Sequence, residues 1–379
     1  MKPGRADIAG GGFGGLVAAI ALAERGWSVR VYERRAAVDS EGYGIAVQRN
    51  MSRIFEAFGV LDAILAGGAR LDRRDSLDRH GTVLMSRPTE RSPYRVDRRH
   101  IVGVLADRAI AAGVDIRFGA TVTQAQSNGQ LVTEDGDSHV ADLIVIANGV
   151  NSALRDATGL LSRRKMERDG ALRVAIPRLP EEIAAADAGG TPLIEAWADN
   201  RRVLYCPVDR HRFYVLLGSL EVDEAARTAP IDPEIWTRSF PTLRGLFERV
   251  ASEADWHEAR WAQFQTITLR QWSTGRIAIL GDAAHAMPPY LAQGAGHAMM
   301  NALGLAAAIE AAPDMATALA DWERRERPLT EHTQRWTRIY GNTLFLPGPL
   351  KQLAIKAEQH VPWLAAQYAR AANHVPTGC

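Results

Sequence analysis

The sequence predicts an α/β protein in which a domain built on parallel strands is interleaved with a smaller mixed β-sheet domain and followed by C-terminal helices. Three observations support this fold class. A glycine-rich stretch, 10–15, follows a short apolar strand; apolar runs at 143–146 and 276–280 are each closely followed by a polar residue beside a glycine; and strand-like segments fill much of 157–273. Strands joined through helices favour a parallel sheet, whereas successive strands favour a separate layer.

The glycine-rich stretch has the form of a Rossmann-like turn that holds a dinucleotide. Gly10 permits the tight turn, Gly12 lets the backbone approach a pyrophosphate, and Gly15 lets the next helix pack closely on the sheet. Free N–H groups and a partial positive charge at the start of that helix attract phosphate. A glycine-rich turn without a ligand is the alternative, but the flanking strand, helix and following acid argue against it.

Glu33 stands at the end of the next predicted strand, 18 positions after Gly15. An acid in this place binds ribose hydroxyls, and it favours the unphosphorylated adenosine ribose of FAD or NAD over that of NADP. We assign Glu33 and the adjacent Arg34 to the same edge of the cofactor.

The second stretch covers 142–149, which includes the apolar run 143–146, and continues to Arg155. A third stretch separates FAD from NAD. A carboxylate directly after the buried strand 276–280 can hold a sugar-like hydroxyl, here expected to be the ribityl chain of FAD, although a helix cap is the alternative role. A second apolar helix then begins, and its N-terminus can face the flavin pyrimidine edge. The residues assigned to this part of the site are Gly281, Asp282, Pro289, Gln293, Gly294, Ala295 and Gly296.

Size and composition limit the class of protein. A chain of 379 residues with 46% hydrophobic content can bury two cores, and a net charge of +1 gives no electrostatic reason to bind nucleic acid or an acidic membrane. Cys206 and Cys379 indicate neither a disulfide framework nor a metal site. We expect a cytoplasmic protein, a monomer or homodimer, with no metal and no membrane or nucleic-acid partner.

In these three stretches, and over nearly its whole length, the chain resembles the class A flavoprotein aromatic hydroxylases, the p-hydroxybenzoate hydroxylase-like group. Within that group it is most similar to the 2-methyl-3-hydroxypyridine-5-carboxylic acid oxygenase subfamily, which hydroxylates and opens a pyridine ring. The similar segments are 9–13, 18–22, 26–27, 168–170, 176–178, 230–232 and 281–287.

The resemblance implies an FAD-dependent monooxygenase that uses NADH, rather than NADPH, and O2. A flavin C4a-hydroperoxide would transfer a hydroxyl group to an electron-rich ring, so no protein nucleophile is needed and no catalytic residue is assigned. The favoured substrate is a hydroxylated N-heteroaromatic carboxylate, with or without ring opening. Two alternatives stay open: a hydroxylase of a carbocyclic phenolic acid or larger aromatic metabolite, and a flavin-binding protein that sequesters a metabolite without oxygenating it.

Further site residues follow from the resemblance alone. Arg98 matches a helix start beside the flavin, although a solvated helix-end charge is the alternative; Gly44 and Ile45 match a segment near the isoalloxazine ring, or form a plain turn. The substrate-binding candidates are Arg173, Arg202 and Tyr214, which match positions around a carboxylated substrate. Guanidinium groups suit bidentate carboxylate binding. The competing interpretation places these three on the solvent face of the sheet.

The chain also departs from the family. The usual Ala-Asp-Gly after the second strand-like run is Ala-Asn-Gly here, so Asn148, which we still assign to the cofactor site, keeps the shape of Asp but lacks its charge. Because the family associates this segment with both FAD and the nicotinamide donor, reduction by NADH is the step most affected. We favour the interpretation that Asn148 is tolerated in place of Asp over the interpretation that reduction of the flavin by NADH is lost. The chain also differs from the pyridine-ring oxygenase subfamily in the run 43–48, at Pro288 and at Tyr290. The identity of the substrate therefore cannot be transferred from the resemblance.

We predict a discontinuous domain organisation. Residues 1–70, 97–156 and 274–312 are expected to form the FAD-binding domain. Residues 71–96 and 157–273 are expected to form the substrate-binding β-sheet domain, and 313–379 a C-terminal helical segment.

Overall fold

A computed structural model describes residues 2–38, 44–89, 94–187, 191–257 and 259–379; Tyr43, part of the departing run 43–48, lies outside them. The strands are β1 Arg5–Ala9, β2 Ser28–Glu33, β3 Ile45–Val47, β4 Gly68–Arg70, β5 Arg73–Leu77, β6 Val83–Pro88, β7 Tyr94–Val96, β8 Asp115–Phe118, β9 Val122–Ala125, β10 Gln130–Thr133, β11 Ser138–Val140, β12 Leu143–Ile146, β13 Leu161–Pro177, β14 Pro192–Ala198, β15 Arg201–Pro207, β16 Arg212–Leu220, β17 Ala262–Leu269, β18 Ser273–Thr274 and β19 Ile277–Ile279.

The helices alternate with these strands in the first part of the chain and close it at the end. They are α1 Phe13–Ala23, α2 Arg49–Ala57, α3 Leu61–Ala66, α4 Arg98–Ala111, α5 Ala153–Ala157, α6 Pro180–Asp187, α7 Glu224–Arg227, α8 Pro233–Thr237, α9 Arg244–Glu253, α10 Asp282–His285, α11 Gly294–Ala311, α12 Met315–Gly341, α13 Gly348–His360 and α14 Pro362–Asn373. Short 3-10 turns cover Pro241–Leu243, Pro289–Leu291 and Asn342–Phe345.

The first sheet confirms the predicted α/β class. Its strand order is β18-β19-β12-β1-β2-β8, and β1 pairs in parallel with both β12 and β2. Every residue of β12 is buried, as expected of a parallel strand covered on both faces. The carboxyl ends of β1, β12 and β19 therefore meet at one edge, and the three motifs of the sequence begin there.

The second sheet has the order β17-β13-β16-β15-β14-β5-β6 and is antiparallel except where β14 runs parallel to β5. One face packs on α8 and α9 through Trp236 and Phe247. The opposite face packs on Tyr290 of the second 3-10 turn and on Tyr340 of α12. This second face is therefore closed by the segment that follows α10 and by the C-terminal helices. Strands β5 and β6, from the stretch 71–96, lie in this sheet, while β7 pairs with β3 and β4.

The close approach of α1 to β1 depends on Gly15. An ideal Cβ atom at this position would lie 1.9 Å from the carbonyl oxygen of Gly10, a backbone atom that cannot move away. At Gly12 an added Cβ would meet nothing within 4 Å. Gly15 is thus required for the packing of α1 on β1, whereas Gly12 borders open space.

We predict that Gly15→Ala lowers the free energy of unfolding by about 1–3 kcal/mol or more, because overpacking forces the helix off the strand. Gly12→Ala is the matched control and should change that free energy little. Urea unfolding of flavin-free protein would measure both variants. Equal stability of the two would contradict the packing role of Gly15.

Candidate active site

The first motif forms an open turn at the end of β1. Gly10 has φ of +110°, and an ideal Cβ there would lie 2.5 Å from the carbonyl oxygen of Ala147, so a side chain is excluded on both counts. The space in front of Gly12 is open. A diphosphate fits this cradle, since it would meet backbone N–H groups at the start of α1 without a side chain in the way.

Glu33 closes the same turn. Its carboxylate accepts hydrogen bonds from the N–H groups of Gly11, at 2.7 Å, and Arg35, at 3.0 Å. A pocket beside it is lined by residues that include Glu33, Arg35, Arg98 and Ile116, which suits the adenosine half of a dinucleotide. Arg34, assigned from the sequence, is exposed, and its neighbour Arg35 lines the pocket instead. No sequence motif distinguished the two arginines.

The three motifs border a cleft at the carboxyl ends of β1, β12 and β19, and Asp282 lies at the end of this cleft that is next to β19. It opens α10 directly after Gly281, whose φ of +64° turns the chain sharply at the end of β19. The residue is exposed to solvent although many protein atoms lie around it, and the described residues form no hydrogen bond with its carboxylate. Burial raises the pKa of Asp282, and the charge of Arg98 opposes this shift. A carboxylate so placed can accept hydrogen bonds from ribityl hydroxyls.

The N-terminus of α11 faces Asp282. An ideal Cβ on Gly294 would lie 3.9 Å from the Asp282 carboxylate. Gln293, also assigned to the cofactor, is buried. Its side-chain amide is hydrogen-bonded within the protein: Asn50 of α2 donates to its Oε1 at 2.9 Å, and its Nε2 donates to Gln48, the residue that precedes α2.

The remaining residues at this end surround the same helix start. An added Cβ on Gly296 would lie 2.9 Å from the side-chain amides of Asn50 and Gln293. Pro289 and Ala295 are half-buried. The backbone at the start of α11 is thus partly accessible at Gly294 and Ala295. The buried side chain of Gln293 links this helix start to α2.

A buried arginine joins the second motif to the third. The guanidinium of Arg155 donates to the carbonyl oxygens of Val150, at 2.9 Å, and Ala283, at 3.2 Å. Asn148 itself is exposed at the sheet edge, and its Cα would lie 2.8 Å from a Cβ placed on Gly10. The exchange of Asp for Asn therefore falls at the mouth of the cleft, beside the dinucleotide turn.

The three predicted substrate residues share one face of the second sheet. Tyr214 of β16 stands between Ala175 of β13 and Cys206 of β15, and Arg173 is two residues from Ala175 on the same side of its strand. An ideal Cβ on Gly44 would lie 3.3 Å from the ring of Tyr214. The segment predicted to lie near the isoalloxazine ring thus contacts the predicted substrate face, and Ile45 anchors it by pairing with Val96.

The environments of the two arginines on this face differ. Arg202 is buried and forms an ion pair with Glu195, whose other oxygen is bound by Arg74 at 2.5 Å. Burial opposes ionisation, but the charges of Arg202 and Arg74 hold the pKa of Glu195 at about 2. The charge of Arg202 is therefore already compensated within the protein.

Arg173 has no carboxylate within ion-pairing distance in the part of the chain that the structure describes. Its guanidinium lies 5.5 Å from the centre of the Phe264 ring. Burial raises the pKa of the Tyr214 hydroxyl, and the charges of Arg173 and Arg95 oppose this shift. Arg173 is therefore a half-buried cation of this face with an aromatic neighbour and no ion-pair partner among the described residues.

Comparison with known proteins decides the family. Residues 5–332 match the model of an FAD binding domain. The chain belongs to this family of flavin-dependent aromatic hydroxylases. It is 36% identical over 367 residues to 2-heptyl-3-hydroxy-4(1H)-quinolone synthase from Mycobacteroides abscessus, covering 92% of this chain and 94% of that protein. It is 31% identical over 369 residues to a 3-amino-4-hydroxybenzoate 2-monooxygenase from Streptomyces platensis, covering 92% and 91%.

A solved structure agrees with the predicted resemblance. The tetrameric form of 2-methyl-3-hydroxypyridine-5-carboxylic acid oxygenase is 33% identical, covers 99% of this chain and 98% of its own, and superposes with a TM-score of 0.85. This member of the aromatic hydroxylase family is thus an FAD-dependent aromatic monooxygenase. In the described ranges, no group of His, Cys, Asp and Glu side chains could hold a metal ion, and no helix is long and apolar enough to cross a membrane.

A buried polar network lies behind the third motif of this hydroxylase. His285 and Asn301 are hydrogen-bonded at 2.9 Å, and His297 and Thr333 at 2.9 Å, which joins α10 and α11 to α12. Burial lowers the pKa of His285 to about 4. The imidazole is therefore neutral at neutral pH, and this buried side chain supports the loop through its contact with Asn301.

We predict that Asp282→Asn weakens FAD binding about 10- to 100-fold, since hydrogen bonds to a charged acceptor are worth about 1.5–3 kcal/mol. Titration of flavin-free protein with FAD, followed by the quenching of flavin fluorescence, measures this change. Asp321→Asn, an exchange of a carboxylate on α12 that is paired with Arg324, is the control for loss of an acid. Unchanged FAD affinity in Asp282→Asn would place the ribityl contact elsewhere.

We predict that His285 makes the protein less stable in mild acid. The unfolded chain takes up a proton near pH 6.5 and the folded chain only near 4, so stability falls as the pH drops through this window, by about 2 kcal/mol between pH 7.5 and 5. His285→Gln should remove this part of the loss. Urea unfolding at both pH values tests it, and an identical pH dependence in the variant would refute the assignment.

Proposed function

We propose that this monooxygenase uses NADH and O2 to hydroxylate an N-heteroaromatic ring that carries a hydroxyl or oxo group. The observation that carries the proposal is the contact between the flavin-side segment at Gly44 and the sheet face of Arg173 and Tyr214. Support also comes from two relatives whose names specify a hydroxyquinolone and a hydroxypyridine.

Bound FAD supplies hydride acceptance and oxygen activation, and the chain supplies binding, orientation and exclusion of water. Asp282 and the N-terminus of α11 hold the flavin end, where the helix dipole stabilises negative charge on the ring. Phe264 and Tyr290, packed edge to face with centroids 6.0 Å apart, form an apolar wall on the substrate side.

For an acidic substrate, we assign the carboxylate to Arg173. Its guanidinium is uncompensated by the described residues, whereas the charge of Arg202 is already paired with Glu195. The sequence resemblance placed both arginines and Tyr214 around a carboxylate. In our proposal Arg202 instead supports the wall of the site, with its guanidinium 5.1 Å from the Trp197 ring and 5.0 Å from the Tyr290 ring. Tyr214 completes the polar end beside Arg173.

A neutral heteroaromatic ring with an apolar substituent is the second candidate. The compensated charge of Arg202 and the aromatic surface formed by Trp197, Phe264 and Tyr290 favour it. The quinolone synthase among the relatives has a name of this kind. Charge therefore separates the two candidates: the first has a carboxylate that balances the charge of Arg173, and the second has none.

Anaerobic reduction of the bound flavin, followed by its absorbance, tests the proposal. NADH and NADPH are each added with a hydroxypyridine carboxylate, a 2-alkyl-4(1H)-quinolone or a hydroxybenzoate. We expect NADH to be the better donor and an N-heteroaromatic ligand to accelerate reduction. Acceleration by the hydroxybenzoate alone would replace the heteroaromatic substrate with a carbocyclic one, and reduction by neither donor would assign a decisive effect to Asn148.

We predict opposite consequences for the two arginines. Arg173→Ala should weaken binding of the hydroxypyridine carboxylate about tenfold or more, with the fold intact, because a charge-assisted contact is lost. Arg202→Ala should instead lower the free energy of unfolding by about 3–5 kcal/mol, because it removes one partner from a buried ion pair. Ligand titration at the flavin band and urea unfolding measure the two effects. Unchanged stability of Arg202→Ala together with lost ligand binding would reverse the assignment.

A further inference from the structure

We propose that Tyr290, held by Asp169, is a hydrogen-bond acceptor that selects substrates with an N–H or O–H donor on the ring. This inference deepens the proposed function and rests on it. It concerns a residue at which the chain departs from the sequence pattern of its subfamily.

The ring of Tyr290 is fixed at the junction of the two halves of the site. It belongs to the turn Pro289–Leu291, between the flavin-binding segments α10 and α11, and it packs on the substrate face of the second sheet. The guanidinium of Arg202 lies 5.0 Å from its centre. A Cβ on Gly341 of α12 would come within 2.4 Å of the ring, so α12 leaves it no room to turn away.

Asp169 determines the direction of the hydrogen bond. It lies on the same side of β13 as Arg173, four residues away, and only 3% of its surface is exposed. The register between β13 and β17 shifts from Met166 to Gly170, just where Asp169 turns inward. Its carboxylate accepts the hydrogen bond that the Tyr290 hydroxyl donates.

A phenol has one hydrogen and two lone pairs. Because Tyr290 gives its hydrogen to Asp169, its oxygen can only accept a hydrogen bond from anything else. In the part of the chain that the structure describes, Asp169 is the only hydrogen-bond partner of this hydroxyl. A ligand that reaches the oxygen must therefore bring a donor.

At neutral pH the charge state of Asp169 keeps the Tyr290 hydroxyl as the donor of the hydrogen bond between them. Burial raises the pKa of Asp169 to about 6, with Glu167 adding to the rise, while the bond from Tyr290 and the charge of Arg202 oppose it. At pH 7.5 the group is thus mostly ionised and accepts rather than donates.

The opposite end of the face has the complementary polarity. Arg173 offers only donors, so the site combines a donor end with an acceptor end. An oxo-substituted N-heteroaromatic ring in its N–H tautomer carries a carbonyl acceptor and an N–H donor, and a hydroxypyridine carries an O–H donor with an acidic or carbonyl acceptor. Both match this arrangement, and a ring methylated at the donor does not.

The test is ligand binding to the oxidised holoenzyme at pH 7.5, followed by perturbation of the flavin absorbance. The probes are 4(1H)-quinolone against its N-methyl analogue, and 3-hydroxypyridine against 3-methoxypyridine. We expect the native protein to bind at least one donor ligand about 10- to 100-fold more tightly than its methylated analogue. The pair that shows the preference identifies the donor as N–H or O–H.

Tyr290→Phe separates the hydrogen bond from the bulk of the methyl group, since the ring is retained. The preference should fall to about threefold or less, mainly through weaker binding of the donor ligand. Tyr205→Phe removes a hydroxyl on the opposite face of the same sheet and should leave the preference unchanged. Tyr290→Phe leaves the buried Asp169 carboxylate without its hydrogen bond. If this single variant does not retain FAD, the double variant Tyr290→Phe with Asp169→Asn, which also removes the buried charge, is used in its place.

The outcomes are distinct. An undiminished preference in Tyr290→Phe, or no preference in the native protein, overturns the role of Tyr290 while the proposed function stands. No flavin perturbation by any of the four probes or by the hydroxypyridine carboxylate overturns the proposed heteroaromatic substrate, and with it this inference.

Discussion

The whole site depends on three parallel strands that end at one edge of the first sheet. Strands β1, β12 and β19 are adjacent, so the segments that follow them are neighbours in space although more than a hundred residues separate each from the next. Backbone N–H groups from one segment, a carboxylate from another and a buried arginine between them converge there. The parallel arrangement is thus what turns three weak sequence motifs into one binding cleft.

The second sheet is built around a buried negative charge. Glu195 binds Arg202 and Arg74, and Arg74 in turn contacts Tyr340 of α12. A buried carboxylate must be compensated, so these partners are drawn to it from different elements. The result fixes the C-terminal helices over the substrate face. It also removes one of the two positive charges that the face would otherwise present to a ligand.

Polarity along the substrate face then has two ends. Arg173 supplies hydrogen-bond donors near Tyr214, and Tyr290 supplies an acceptor because Asp169 takes its only hydrogen. In our proposal, the aromatic side chains between these two ends pack on the faces of a flat ring and need no charge on it. In our proposal, such a site distinguishes ligands by the arrangement of donors and acceptors as well as by net charge.

The sequence by itself determined the fold class, the family and the cofactor, because these depend on local features. Gly10 and Asp282 follow predicted strands and Glu33 ends one, and the geometry of a strand–turn–helix unit is set by the residues within it. Tertiary structure decided the rest, since it depends on partners far away in the chain. The compensation of Arg202 requires Glu195 across a strand pair, and the place of Arg35 in the pocket beside Glu33 requires the packing of that pocket. The acceptor role that we propose for Tyr290 requires Asp169, 121 residues away. No spacing within one segment encodes such pairings, because the charge and hydrogen-bonding state of a side chain depends on what the fold places against it.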